Sequence, residues 1–485
     1  MSGPAKLRLS DVSNHNTDDD GWIIINGIVW DVTGFVTQHP GGPQVIQEHL
    51  GKDASEVYNE IHGPGLISTL GEAKRIGECH EIPPKKELTS ISKDGDKAKQ
   101  SAGSPKPDLR SIINITQFKN IARPFLKERA WGYMSGATED GFTHRANPDF
   151  YRRIMFRPRI LRAVSKVDTK IPFLGEQFAM PIFIAPTSSV KLSHQEGEVG
   201  MAIASVASGV APVVPTMSSY AISEVVDAMP AGYPFFFQLY VQQEHSETEK
   251  RLREAAKLGA RAVMVTIDLP VLSKRESQEP PLSSGDGYEA KPSQLTPPPS
   301  NMVIDADLVW ADIGWIRKVS GLPVFLKGIQ CAADARRAVD VGCAGIWLSN
   351  HGGRALDTAQ PAILTLLEIQ ANCPEILSQV EVVVDGGIRR GSDVLKAYCL
   401  GASAVCIGRS FLYALAAYGH EGVIHAFKIL KEELELAMQL VGITSLDQAH
   451  PGLLNTADLD TLVYKGDEHP FAKKVVRTRA RASKL

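Results

Sequence analysis

Eight short apolar runs, alternating with helical stretches, constrain this chain more than any other feature. The runs are PIFIAP (181–186), APVVPT (211–216), PFFFQL (234–239), AVMVTID (262–268), PVFLK (323–327), AGIWLS (344–349), EVVVD (381–385) and AVCIG (404–408). Segments between them, such as SETEKRLREAAKLGARA, AADARRAVDVG and GSDVLKAYCLGA, read as helices, and several end in glycine, a helix stop signal. Strand and helix alternating eight times is the pattern of an α/β (β/α)8 TIM barrel. Strands apolar on both faces fit a parallel barrel, because helices cover the outside and side chains fill the inside.

The residues at the C-terminal ends of these runs are polar. They are Thr187 and Ser188, Ser218, Gln238 and Tyr240, Thr266 and Asp268, Lys327, Ser349 and His351, Asp385, and Gly408 and Arg409. Barrel active sites are built at that end. Any one of these could be a satisfied strand cap; the joint pattern points to a site. After the seventh and eighth runs come VVVDGGIRRGSD and CIGRSFLY. Their glycines let backbone N–H groups approach an anion, and Arg389 and Arg409 add planar cations, so this corner is expected to hold a phosphate. There is no GxGxxG after a first strand and no GxxxxGK[ST], which disfavours dinucleotide and P-loop readings.

The barrel leaves much of the chain unused. At 485 residues the chain is expected to form two or three domains. Residues 83–107, PPKKELTSISKDGDKAKQSAGSPKP, carry almost no apolar periodicity and read as a flexible linker. They divide a head, 1–82, from a body, 108–485. A second polar interruption, 277–300, reads as a surface loop within the body. Net charge is −3, so no basic field for nucleic acid exists. No apolar run approaches the ~20 residues of a membrane-spanning helix. The six cysteines form no CxxC pair and read as reduced, mostly buried thiols. The terminal Ser483-Lys484-Leu485 matches a receptor-read peroxisomal address.

In the head, residues 22–25 and 28–32 are β-rich, with a hairpin signal at Asn26-Gly27. His39 stands in HPGG and His62 in HGPG, each at a helix edge beside glycines that would let a flat ring approach the backbone. Two neutral imidazoles facing each other would suit a six-coordinate haem iron. From spacing alone, two surface histidines near turns remain the alternative.

The text WIIINGIVWDVTGFVTQHPGG…GKDASEVYNEIHGPG resembles the cytochrome b5 family over nearly the whole head. That resemblance implies an α+β haem domain with haem b held by His39 and His62. Residues 108 to about 450 resemble the FMN-dependent L-2-hydroxy acid oxidase and dehydrogenase family through IAPTS, FFQLYV, TIDLPVLSKRE, FLKGI, SNHGGRALD, DGGIRRGSDVLKA and GRSFLYALA. This second resemblance implies His351 as general base at the substrate's 2-position and Asp268 as its orienting partner. It implies Arg354 and Arg275 as carboxylate cations, Tyr133 and Tyr240 as hydrogen-bonding groups, and Lys327 at the flavin N1/O2 edge. FMN would be held by Pro186, Thr187, Ser188, Ser218, Gln238, Thr266, Ser349, Asp385, Gly387, Arg389, Gly408 and Arg409.

The chain departs from the family where two tyrosines usually precede SSGA. Here the text is GYMSGATED, and Tyr133 takes the position in a gapless alignment. Tyr220, two residues after Ser218, would border the substrate side chain and favour short acids such as lactate or glycolate over mandelate. The resemblance leaves two routes for the electrons: singly through the haem to an acceptor such as a c-type cytochrome, or to O2 with release of hydrogen peroxide. A haem module on a dead barrel would predict loss of His351, Asp268 or Arg354, and all three are present. Relatives imply a homotetramer. Those reducing cytochrome c imply the mitochondrial intermembrane space as the alternative to the peroxisome.

Overall fold

The computed structural model describes residues 5–39, 41–82, 106–276 and 304–466. Most of the expected linker, the 277–300 loop and the Ser483-Lys484-Leu485 terminus lie outside the described residues.

All eight expected runs are strands of one sheet: Ile182–Ile184, Val213–Pro215, Phe236–Leu239, Ala262–Thr266, Val324–Ile329, Gly345–Leu348, Glu381–Asp385 and Ala404–Ile407. They are joined by parallel ladders from the second strand through to the eighth, which then pairs with the first. Nearly every strand residue is buried, as the continuous apolar text requires. The expected helices are His245–Lys257, Ala332–Asp340 and Gly391–Cys399.

The N-terminal end of the barrel is closed by aromatic packing. Phe183, Phe236 and Phe325 come from the first, third and fifth strands, the alternate-strand layering of such barrels. Phe173, from a hairpin of Ile171–Phe173 and Glu176–Phe178, lies 5.4, 5.6 and 5.9 Å from their ring centroids. With that end filled, chemistry is confined to the other.

The head carries its own core. Asp20–Ile25 and Ile28–Asp31 form the expected hairpin, turned by Asn26 (φ 52°) and Gly27 (φ 83°). Ile23, Ile25, Trp30, Val32, Val36, Ile46, Leu50 and Ala54 pack on one side of the sheet. Val12, Ile24, Val29 and Cys79 pack on the other. The head rests on the mouth of the barrel, where the Lys127–Glu60 ion pair (2.6 Å) spans the two. All six cysteines are free, five of them buried. Among the described residues, no helix is long and apolar enough to cross a membrane.

Candidate active site

The expected site residues converge on one cavity of about 1050 Å3, walled by both barrel and head. At its centre is His351. Its φ is +57°, a left-handed conformation that few non-glycine residues adopt. Strain of this kind, on the order of 1–3 kcal/mol, persists where surroundings over-determine it. The surroundings are visible: Ser349 Oγ accepts from the His351 backbone N–H at 3.0 Å, and His351 Nδ1 meets Asp268 Oδ1 at 2.9 Å. Burial pushes the imidazole pKa down to about 4, against the opposing pull of Asp268. The ring is therefore neutral near pH 7. With Nδ1–H donated to Asp268, Nε2 carries the lone pair, 3.4 Å from the Tyr240 hydroxyl.

Asp268 stands behind the histidine, its side chain fully buried. Burial alone would raise its pKa, but Lys327 and His351 outweigh that and hold it below the ordinary value. Lys327 lies 3.8 Å from Asp268 Oδ2, 3.9 Å from Asp385 Oδ2 and 3.3 Å from Ser349 Oγ. Two cations share the cavity wall with His351. Arg354 donates to the carbonyls of Tyr133 (2.7 Å) and Gly136 (2.9 Å), and its guanidinium lies 5.2 Å from the Tyr133 ring centroid. Arg275 donates to the Arg354 carbonyl and to Ser273 Oγ. Burial, then the neighbouring Arg354 charge, lowers the Arg275 pKa to about 10. Among the described residues, no carboxylate lies within ion-pair distance of Arg354. Two adjacent cations in a cavity wall call for an anion.

The residues expected to hold FMN line the same cavity: Pro186, Thr187, Ser188, Ser218, Gln238, Thr266, Asp385, Gly387, Arg389, Gly408 and Arg409. Gln238 Nε2 donates to Thr266 Oγ1 at 2.9 Å, fixing both. Ser349 is the exception. It is fully buried, supporting Lys327 and His351 rather than forming the wall. Tyr133 directs its hydroxyl to the Ser188 carbonyl at 3.2 Å. Tyr220 does line the cavity, but its hydroxyl is committed to the Gln195 carbonyl at 2.6 Å.

Among the cavity residues that escaped the sequence reading are His144 and Asn147. Both lie on the helix Phe142–Arg152, outside the strand-end pattern. Burial, then Arg409 and Arg389, drives the His144 pKa down to about 3. Asn147 exchanges two hydrogen bonds with Asn350 and packs against Gly387, where a Cβ would come within 2.3 Å of the Asn147 backbone. The only signal in the text was THRAN itself, a polar run ahead of the first strand.

The head contributes His39 and His62 to the cavity. Their ring centroids are 6.0 Å apart and their planes perpendicular. That gap suits one metal ion held by two bonds of about 2 Å each. Burial lowers both pKa values, that of His62 to about 4, so both rings are neutral donors. His62 Nδ1 is buried with no hydrogen-bond partner among the described residues. Gly41 leaves room for His39: a Cβ there would lie 2.8 Å from its ring.

The FMN-dependent dehydrogenase family model matches residues 122–456. The chain belongs to that family. A cytochrome b5-like heme/steroid binding domain matches residues 8–80. An L-lactate dehydrogenase (cytochrome) of Wickerhamomyces anomalus is 36% identical over 92% of this chain and 79% of its own length. Its Saccharomyces cerevisiae counterpart is 36% identical over 94% and 80%. A peroxisomal (S)-2-hydroxyacid oxidase of Arabidopsis thaliana is 38% identical over 70% of this chain and 95% of its own. Among solved structures, the recombinant flavin-binding domain of baker's yeast flavocytochrome b2 superposes with a TM-score of 0.67 at 36% identity, over 75% of this chain and 91% of its own.

FMN and haem are accordingly the cofactors of the two domains, and the residues present fit both. Arg389 and Arg409 are cations in the cavity wall with no ion pair among the described residues. Burial, then Arg354, takes the Arg409 pKa to about 9, as expected of a cradle for a phosphate. Asp385 Oδ1 is buried in the same wall without a hydrogen-bond partner among the described residues. His39 and His62 present the two opposed imidazoles.

Proposed function

We propose that the protein oxidises a short L-2-hydroxy acid, L-lactate foremost, to the 2-oxo acid. Its electrons pass through FMN and haem b to an external one-electron acceptor such as a c-type cytochrome. One observation carries this reading. The likeness to two cytochrome-linked L-lactate dehydrogenases runs through head and barrel together, and in this chain both sets of residues open into one cavity.

The oxidation removes two electrons and two protons from the substrate's C2–O unit. When bound, FMN takes the electrons as a pair and releases them singly, and haem iron carries one at a time. The chain supplies the rest. Arg354 and Arg275 hold the carboxylate, Arg354 with its planar fork. Tyr240 lies where it can bond the substrate hydroxyl. His351 Nε2 takes a proton, and Asp268 stabilises the imidazolium so formed. Lys327 places positive charge where the ring would gain negative charge.

The test compares acceptors. With L-lactate, the purified holoenzyme is expected to reduce cytochrome c much faster than it consumes O2. His62→Ala should abolish cytochrome c reduction while an artificial flavin-level acceptor is still reduced. If O2 is the faster acceptor and His62→Ala changes nothing, the protein is a hydrogen-peroxide-forming oxidase.

A further inference from the structure

His62 is followed by Gly63-Pro64-Gly65, and the neighbours of the two glycines belong to the barrel. A Cβ on Gly63 would lie 2.3 Å from Tyr220 Cδ1. A Cβ on Gly65 would lie 2.7 Å from the Glu224 carboxyl group. The backbone bonds run to the same loop. Gly63 N–H donates to the Ser219 carbonyl at 2.6 Å, and Gly65 N–H to Glu224 Oε1 at 3.1 Å. These glycines therefore serve contact between domains, not only the approach of a flat ring.

The receiving surface is fixed in place. Glu224 Oε2 also accepts from the Ala221 N–H at 2.8 Å. The Tyr220 ring is held by its bond to Gln195 and by Gly197 on another side, where a Cβ would sit 2.9 Å from Tyr220 Cε2. Lys191 completes the surface. Its ammonium donates to the carbonyls of Asn59 (2.8 Å) and His62, at the end of the helix Ser55–Ile61. Helix C-termini leave such carbonyls unpaired and carry partial negative charge, so a cation there is favourable. The barrel thus caps the helix that presents His62.

We propose that Gly63-Pro64-Gly65 is a docking element, that Lys191, Ser219, Tyr220 and Glu224 form its seat, and that this seat sets the rate of electron transfer from barrel to head. The proposal rests on the reading that electrons take that route. The connection is short: Ser218 lines the cavity, its neighbour Ser219 is hydrogen-bonded to Gly63, and Gly63 is bonded to His62. Electron transfer weakens steeply with separation, so a head displaced from this seat would be reduced slowly even with both cofactors intact. Lys191 and Glu224 act here as positioning residues.

The test follows flavin bleaching and the haem band separately in anaerobic stopped flow with L-lactate, on the full-length holoenzyme, with Gly63→Ala, Gly65→Ala, Lys191→Met and Lys191→Arg. Gly65 has φ −82° and ψ −14°, which alanine adopts without strain, so its substitution probes the collision with Glu224 alone. Gly63→Ala and Lys191→Met are expected to retain the oxidised haem spectrum and haem potential and to reduce flavin at the wild-type rate. Their flavin-to-haem step should slow about tenfold or more, the effect of losing roughly one charge-assisted hydrogen bond from the docked state. Lys191→Arg should recover most of that rate, and Gly65→Ala should fall between. Wild-type haem reduction in Gly63→Ala and Lys191→Met overturns the seat. Loss of the haem band in the glycine variants also overturns it, because the glycines would then serve the head's own fold. If wild-type haem is never reduced by substrate, the electron route itself fails, a result distinct from either.

Discussion

His351 combines a left-handed backbone, a depressed pKa and a buried carboxylate partner, and each has a measurable consequence. His351→Gln is expected to retain FMN and to lose substrate-driven flavin reduction by roughly 10²–10⁴-fold, the usual contribution of a positioned base. Normal turnover in that variant would remove the histidine from its role. The pH dependence has a definite sign. The folded-state pKa of about 4 lies below the ordinary imidazole value of 6.5, so the unfolded chain binds the proton first. His351 therefore contributes no penalty above about pH 6.5, and stability falls as pH drops from there toward 4. His144, with a pKa of about 3, adds to the loss in the same direction. Denaturant midpoints of the cofactor-free protein across pH 4–7 should rise with pH, and a flat profile would contradict both burials. At this scale His351, Asp268 and Arg354 were legible because each follows a strand in a barrel. His144 and Asn147 were not, because a helix contributes them from before the first strand. The packing partners of Tyr220 were also illegible, since residues distant in sequence supply them.

The eight strands were legible because burial on both faces makes their text continuously apolar, a signal that survives even in strands of three residues. Short polar-flanked elements gave no such signal. The hairpin Ile171–Phe173/Glu176–Phe178 passed unnoticed, although it inserts Phe173 into the barrel floor. Another is the break at Tyr418–Gly419 within the long helix Arg409–Val441, where Gly419 takes φ +62° against the Glu196 carboxylate. Phe173→Ala should cost about 3–5 kcal/mol, as large aromatic truncations in packed cores do. Urea unfolding of the variant would show it as a lower midpoint, while the haem spectrum stays intact because the head has a separate core. An unchanged midpoint would mean that the floor is not close-packed.

Two domains, each recognisable from a short motif, share one cavity, and that sharing was not written in either motif. Hydrophobic periodicity reports what an element buries within its own domain. It carries no record of which loop a neighbouring domain will cover. Among the described residues, the polar contacts between head and barrel are Lys191 with Asn59 and His62, Gly63 with Ser219, Gly65 with Glu224, and Lys127 with Glu60, beside the packing of Gly63 on Tyr220. Contacts of this type suit a head that meets the barrel in one pose yet can present its other surfaces to an external acceptor. The measurement that tests the account most directly is the anaerobic absorption spectrum of the purified protein before and after addition of L-lactate. Bleaching of the flavin followed by a reduced haem band is the expected result. A bleached flavin beside a haem that stays oxidised would contradict it.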